Sequence, residues 1–155
     1  MPLLRAALSW NFVLATAICA SLLAQLIKVL LNLFIFHRFI AERMWGAGGM
    51  PSSHSATVCA MVVATGRYCG VNSPLFAIAA VLSIIVMYDA MGVRYETGEQ
   101  AKVLNRMFTE WMDQGFEQFQ LPHGKKLEEM VGHTPIEVVT GAALGIVLGF
   151  AMPMV

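Results

Sequence analysis

Between Arg5 and Lys28 the chain runs for 22 residues without a charged side chain, and apolar sequence resumes from Val29 to Phe36. At a rise of about 1.5 Å per residue, a helix over the first stretch alone is long enough to cross the roughly 30 Å of bilayer hydrocarbon. The run is too long for a cleaved leader and lacks a small-residue cleavage site before more apolar sequence, so it reads as one long, tilted helix. Three further apolar runs follow. Ser55 to Val71 is short and interrupted by Arg67, Pro74 to Val93 carries the single acid Asp89, and Ile136 to Val155 carries the single acid Glu137. In the last run Gly141, Gly145 and Gly149 recur at every fourth position, which puts them on one helical ridge where a second backbone can approach closely.

Hydrophobic residues make up 57% of the chain and charged residues 13%, against about 25% charge in soluble domains. A water-soluble globule is therefore the weaker reading. The formal net charge is zero, which removes the electrostatic footprint that nucleic-acid binding needs. Cys19, Cys59 and Cys69 sit in apolar runs without metal-ligand spacing or an even disulfide count, and are expected to be buried thiols. Twelve of the twenty acidic and basic side chains lie between Arg94 and Glu129. Within that polar excursion Ala101, Leu104, Phe108, Trp111 and Met112 fall at three- and four-residue spacings, an amphipathic helix that lies at the interface or covers the bundle. Gln120 to Gly124 breaks it. No repeat or linker divides the chain, so residues 1–155 are read as a single domain. The expected fold is all-α: an integral membrane helical bundle of about four embedded helices plus the amphipathic interfacial helix. The bilayer is its expected partner, and homo-oligomerisation stays open.

Four spans would bring Lys28 to Arg43, the Gly46–Ser55 loop, Asp89 to Arg94 and His133 to Glu137 to one membrane face. Arg38, Arg43, Arg94, Lys102, Arg106, Lys125 and Lys126 fall on that side, against Arg5 and Arg67 on the other, with Lys28 inside. The positive-inside rule then places the shared face in the cytoplasm.

The loop from Gly46 to Ser55 ends in Pro51-Ser52-Ser53-His54-Ser55, just where an apolar helix begins. Free N–H groups and the positive end of the helix dipole favour an anion there, with phosphate the natural guest. The plainer alternative is that Ser52 or Ser53 caps the helix and His54 is merely interfacial. Gly132-His133-Thr134-Pro135-Ile136-Glu137 repeats the arrangement, with a carboxylate four positions after the imidazole. Glu137 would fix the tautomer of His133 and leave its other nitrogen free to attack or to move a proton. The competing reading is a capping box of Thr134 and Glu137 with Pro135 at the first helical position. Lys28 and Asp89 are charges on apolar helices, each costing roughly 2.5–3.5 kcal/mol unless it faces a partner or a cavity. Arg94 offers a planar fork for phosphate oxygens; the structural alternative pairs Asp89 with Lys28 or with Arg94. A metal site from His54, His133 and Asp89 fits by ligand type, but nothing in the spacing demands one. Gln100 and Asn105 are expected to be solvated amides, and His37 and His123 stay outside the site.

Gly-Gly-Met-Pro-Ser-Ser-His-Ser-Ala at 48–56, Tyr-Asp-Ala-Met-Gly-Val-Arg at 88–94 with Gln100-Ala101 and Leu104-Asn105 after it, and Gly-His-Thr-Pro-Ile-Glu-Val at 132–138 together resemble the divergent branch of the type 2 phosphatidic acid phosphatase family. That branch is related to acid phosphatases and vanadium-dependent haloperoxidases. The resemblance implies a lipid-phosphate phosphatase of a bacterial plasma membrane that needs no cofactor and no metal. His133 would be the nucleophile that forms a phosphohistidine, Glu137 would orient it in place of the family's Asp, and His54 would be the general acid. Lys28, Ser52, Ser53 and Arg94 would bind phosphate, with Asp89 in support. Ser53 stands where the wider family has glycine, no Arg-Pro follows Lys28, and Leu127 occupies the position of the arginine ahead of the distal histidine. Arg94, helped by Arg38, would have to supply the lost charge. Two functions follow: phosphomonoester hydrolysis, or an inactive protein of the same fold that binds or transports a phosphorylated lipid.

Overall fold

A computed structural model describes residues 11–36, 49–114, 126–129 and 131–154. Every element among them is an α-helix: α1 (Phe12–Phe36), α2 (Ser53–Cys69), α3 (Pro74–Met91), α4 (Val93–Asp113) and α5 (Pro135–Ala151). Arg5, His37, Arg38, Arg43, His123 and Lys125 lie outside the described residues, as do 46–48 of the glycine-rich loop and the break at 120–124.

The bundle is small-sided within and large-sided without. Its cores are built from Ala20, Ala24, Ala56 and Ala60, flanked by Leu144 and Leu148, and from Phe12 and Ala64. Leu22, Ile78, Ile84, Val147 and Phe150 face outward, each more than 60% exposed. A soluble protein does not leave so much large apolar surface uncovered, whereas in lipid, where burial of large apolar groups drives nothing, small residues let backbones approach. This is an all-helical membrane bundle. Among the described residues, α1 and the run starting at Pro74 are long and apolar enough to cross a membrane, while α2 and α5 have 17 residues each.

Helix α2 is the hub, packed by α1, α3 and α5. Each main contact is a stripe of small residues at a spacing of four: Thr16, Ala20, Ala24 and then Lys28 on α1, and Ser52, Ala56, Ala60 and Ala64 on α2, all buried. The glycine ridge of α5 meets the α2 stripe in register, Gly141 on Ser52, Gly145 on Ala56 and Gly149 on Ala60 and Val63. Helices α2 and α5 are therefore parallel, and both amino termini open at the same end. Helix α1 runs antiparallel to α2, with Phe12 beside Tyr68 (ring centroids 6.3 Å apart) and Lys28 beside Gly49.

Local signals set the helix ends. Ser52 caps α2, its hydroxyl accepting the Ser55 N–H at 3.4 Å, so the helix starts at Ser53 and His54 lies in its first turn rather than ahead of it. Gly92 separates α3 from α4, which places Arg94 in the first turn of α4. Of the cysteines, Cys59 is buried and all are free, but Cys69, at the carboxyl end of α2, is exposed, contrary to expectation.

Arg67, the charge that interrupts the α2 run, closes the end of the bundle opposite Lys28. Its Nη1 donates to the carbonyls of Gly149 (2.6 Å), Phe150 (3.1 Å) and Met152 (2.8 Å), and its guanidinium carbon lies 5.6 Å from the centre of the Phe12 ring. These are carbonyls that the last turn of a helix leaves unpaired. Arg67→Leu should lower stability by about 2 kcal/mol, the scale of charge-assisted hydrogen bonds, without changing the far end. Thermal unfolding in detergent reads this, and an unshifted midpoint would mean that the clamp contributes nothing.

Candidate functional site

Three backbone joints bring the polar motifs to one end. The Ser52 N–H donates to the Glu137 carbonyl at 3.0 Å, tying the start of α2 to the first turn of α5. The His133 N–H donates to the Ala90 carbonyl at 3.0 Å, tying the approach to α5 to the end of α3. Gly132, at φ +89°, packs directly on the backbone of Arg94 and Tyr95, where a side chain would collide and where only glycine adopts the conformation without strain.

These joints set two imidazoles side by side. The rings of His54 and His133 have centroids 6.1 Å apart and planes inclined at 59°. Together with Val86, Asp89, Ala90 and Arg94 they line a small open cleft. His54 is exposed at its mouth, whereas His133 is only 2% exposed. Glu137 Oε2 lies 3.1 Å from His133 Nδ1 and also accepts the Thr134 N–H at 3.0 Å. One carboxylate oxygen thus serves both the helix start and the imidazole, so the capping box and the oriented histidine are one structure rather than alternatives. An ionised carboxylate only accepts, which makes Nδ1 the donor and leaves the lone pair of the neutral ring on Nε2. Nε2 is buried and has no hydrogen-bond partner among the described residues. Burial holds the His133 pKa below the ordinary histidine value; Glu137 pulls it back up, and Lys28 and His54 push it further down. The net direction favours the neutral ring, the form in which it has a lone pair to give.

The charges around the cleft are arranged asymmetrically. Arg94 Nε donates to Asp89 Oδ2 at 2.7 Å, and both side chains are about half exposed at the rim. The pairing of Asp89 is thus with Arg94, not with Lys28. Lys28 is 2% exposed, forms no ion pair among the described residues, and acts on His54 and His133 through space. Gly49 packs against its stem, where a Cβ would lie 3.4 Å from Lys28 Cδ. Ser52, fully buried, receives the Ser55 hydroxyl at 3.1 Å, and Ser52, Ser53 and Lys28 are not among the residues that line the cleft. Among the described residues no group of three or more His, Cys, Asp or Glu side chains is placed to hold a metal ion.

The arrangement brings two imidazoles together at the converging amino termini of two helices, where negative charge is favoured. A sequence model described as the divergent PAP2 family matches residues 9–148. The chain belongs to that family. It is also 38% identical over 144 residues to the uncharacterized membrane protein YuiD of Bacillus subtilis (strain 168), covering 89% of this chain and 91% of that protein. No solved structure matches the chain. All three motifs that carry the divergent PAP2 resemblance meet at the cleft end of the bundle.

Sequence reasoning missed one buried polar residue near this divergent PAP2 cleft's approach segment. Asn105, expected to be solvated, is 5% exposed and bonded to the segment that leads into His133. Its helix period offered a signal, because Gly98, Ala101 and Asn105 form the buried face of α4, while Leu104, Trp111 and Met112 of the expected apolar stripe are exposed.

Proposed function

We propose that this protein hydrolyses a phosphomonoester carried by a membrane lipid, with the cleft at the cytoplasmic face of a bacterial plasma membrane. The observation that carries the reading is the His133 ring: Nδ1 held by Glu137 at 3.1 Å and Nε2 buried, unpartnered among the described residues, next to the His54 ring 6.1 Å away. A near-attack nitrogen sits about 3–3.5 Å from its target and a general acid about 2.6–3.2 Å from the oxygen it protonates, so a 6.1 Å ring separation lets both histidines reach one phosphoryl group.

In the first step His133 Nε2 attacks phosphorus, the bond from phosphorus to the lipid oxygen breaks, and protonated His54 gives that oxygen its proton. In the second, water attacks the phosphohistidine, His54 takes the proton of the water, and the P–N bond breaks to release inorganic phosphate. Arg94 at the rim and Lys28 beneath offset the charge of the phosphoryl oxygens. The amino termini of α2 and α5, organised by Ser52, Ser53 and Thr134, add their dipoles. The outward apolar faces of α3 leave the lipid tail in the bilayer.

A specific observation favours the second reading, binding or transport without turnover: Leu127 stands where the wider family has an arginine, and Arg94 is already paired with Asp89. The purified protein in mixed micelles with a lipid phosphate separates the two. Hydrolysis predicts release of inorganic phosphate and an acid-labile, base-stable phosphoprotein after rapid quench. Saturable binding with no release would overturn hydrolysis in favour of a carrier.

A further inference from the structure

Helix α4 is attached to the nucleophile's approach rather than to the bundle core. Asn105 Nδ2 donates to the Leu127 carbonyl at 2.9 Å and to Glu129 Oε1 at 2.7 Å, and its Oδ1 accepts the Leu127 N–H at 2.9 Å. About two turns earlier, Gly98 lies so close to the same segment that a Cβ would stand 2.8 Å from the carbonyl oxygens of Glu129 and Val131. Gly132 then rests on the Arg94 and Tyr95 backbone, and the His133 N–H closes on Ala90. Residues 126–129 belong to no helix, and among the described residues the hydrogen bonds of that stretch run to Asn105. What fixes it is the face of α4, and the three bonds of Asn105 are its polar anchor.

We propose that Asn105 is a positioning residue: by latching Leu127 and Glu129 to α4 it sets where the His133 ring stands relative to His54 and Arg94. The same helix carries Arg94 in its first turn, so cation and nucleophile are referenced to one rigid element. A buried amide with three partners is expensive to remove, because Leu127 loses partners for both its N–H and its carbonyl and Glu129 loses its donor. The consequence for turnover rests on the proposed hydrolysis; the placement of the ring does not.

The test uses the full-length protein in detergent, with wild type, Asn105→Ala, Glu129→Ala, Glu129→Gln and, as a control on the exposed face of α4, Arg106→Ala. The first readout is the titration of His133 by NMR of ring nitrogens, in a setting where Glu137 of α5, Lys28 of α1, His54 of α2 and the Asp89–Arg94 pair face it. The ring of Asn105→Ala should titrate higher, toward about 6.5, as burial is lost. The second readout is phosphate release: kcat should fall on the order of 10²-fold with KM little changed, as expected when a reacting group is misplaced by about an ångström. Glu129→Ala, losing one of the three bonds, should move both readouts the same way by less; Glu129→Gln, which keeps a carbonyl acceptor, should restore them. A folded Asn105→Ala with wild-type titration overturns the proposal. Should that variant not fold, an unchanged titration in Glu129→Ala overturns it instead. A wild type that releases no phosphate defeats the hydrolysis reading alone, and the titration arm still decides the latch.

Discussion

Replacing His133 by alanine should reduce phosphate release by on the order of 10⁴-fold or more, because the group proposed to form the covalent intermediate is gone. The quenched phosphoprotein should vanish with it. Glu137→Gln is the more informative change. The amide keeps the shape of the carboxylate, and its oxygen can still accept from both Nδ1 and the Thr134 N–H, but it brings no negative charge to stabilise the ring as it turns cationic in attack. A loss of about 10–10²-fold is expected when that hydrogen bond is no longer charge-assisted, with KM nearly unchanged. His54→Ala should cost about 10²–10⁴-fold on an alkyl phosphate but far less on an aryl phosphate whose leaving group needs no proton. Retention of wild-type turnover in His133→Ala, or an equal loss on both esters in His54→Ala, would remove the assigned roles.

How much of this was legible in the sequence depends on the length scale of the signal. The uncharged run before Lys28 and the Pro74 run declared helices because lipid permits little else, and the Gly141, Gly145 and Gly149 period declared a close contact because only small residues allow one. Convergence of the motifs at one end followed from alternating helix directions. What could not be read was which polar side chains would be spent on backbone. Ser52 reads as a phosphate ligand or a cap, and the bonds it receives from Ser55 show a cap. Asn105 reads as a surface amide because its partners, Leu127 and Glu129, are more than twenty residues away and carry no periodic mark. Glu137 showed the opposite ambiguity: two readings competed for one carboxylate, and Oε2 satisfies both. Pairwise contacts between a helix and an irregular segment are where sequence pattern ends, and here they hold the approach to His133.

Gly145→Leu should destabilise the bundle strongly. A Cβ at Gly145 would overlap the Ala56 carbonyl and lie 2.9 Å from the Ala56 Cα, and these are backbone atoms of the hub helix that cannot rotate aside. Helix α5 would have to lift off α2, losing the Ala56 and Ala60 contacts with Leu144 and Leu148. Overpacking of well-packed contacts costs about 1–3 kcal/mol and more when backbone must yield, a large share of a total stability of about 5–15 kcal/mol. Graded substitutions isolate the cause. In an exposed helix Gly→Ala is stabilising by about 1 kcal/mol through propensity alone, so a destabilising Gly145→Ala would by its sign report interhelical contact. Gly149→Ala should destabilise as well, because the nearest atoms it meets are Val63 Cβ and Cγ1, at 2.6 and 2.8 Å, and that Cβ is fixed to the backbone of the hub helix. Gly141→Ala presses on the Ser52 backbone, whose N–H holds the Glu137 carbonyl, so it should lower turnover more than its effect on melting would suggest. Thermal unfolding of the three alanine variants, beside their phosphate release, gives the order. A Gly145→Ala protein more stable than wild type would show that α5 does not lie against α2 this closely, and Glu137 would then lack the support that holds His133 in place.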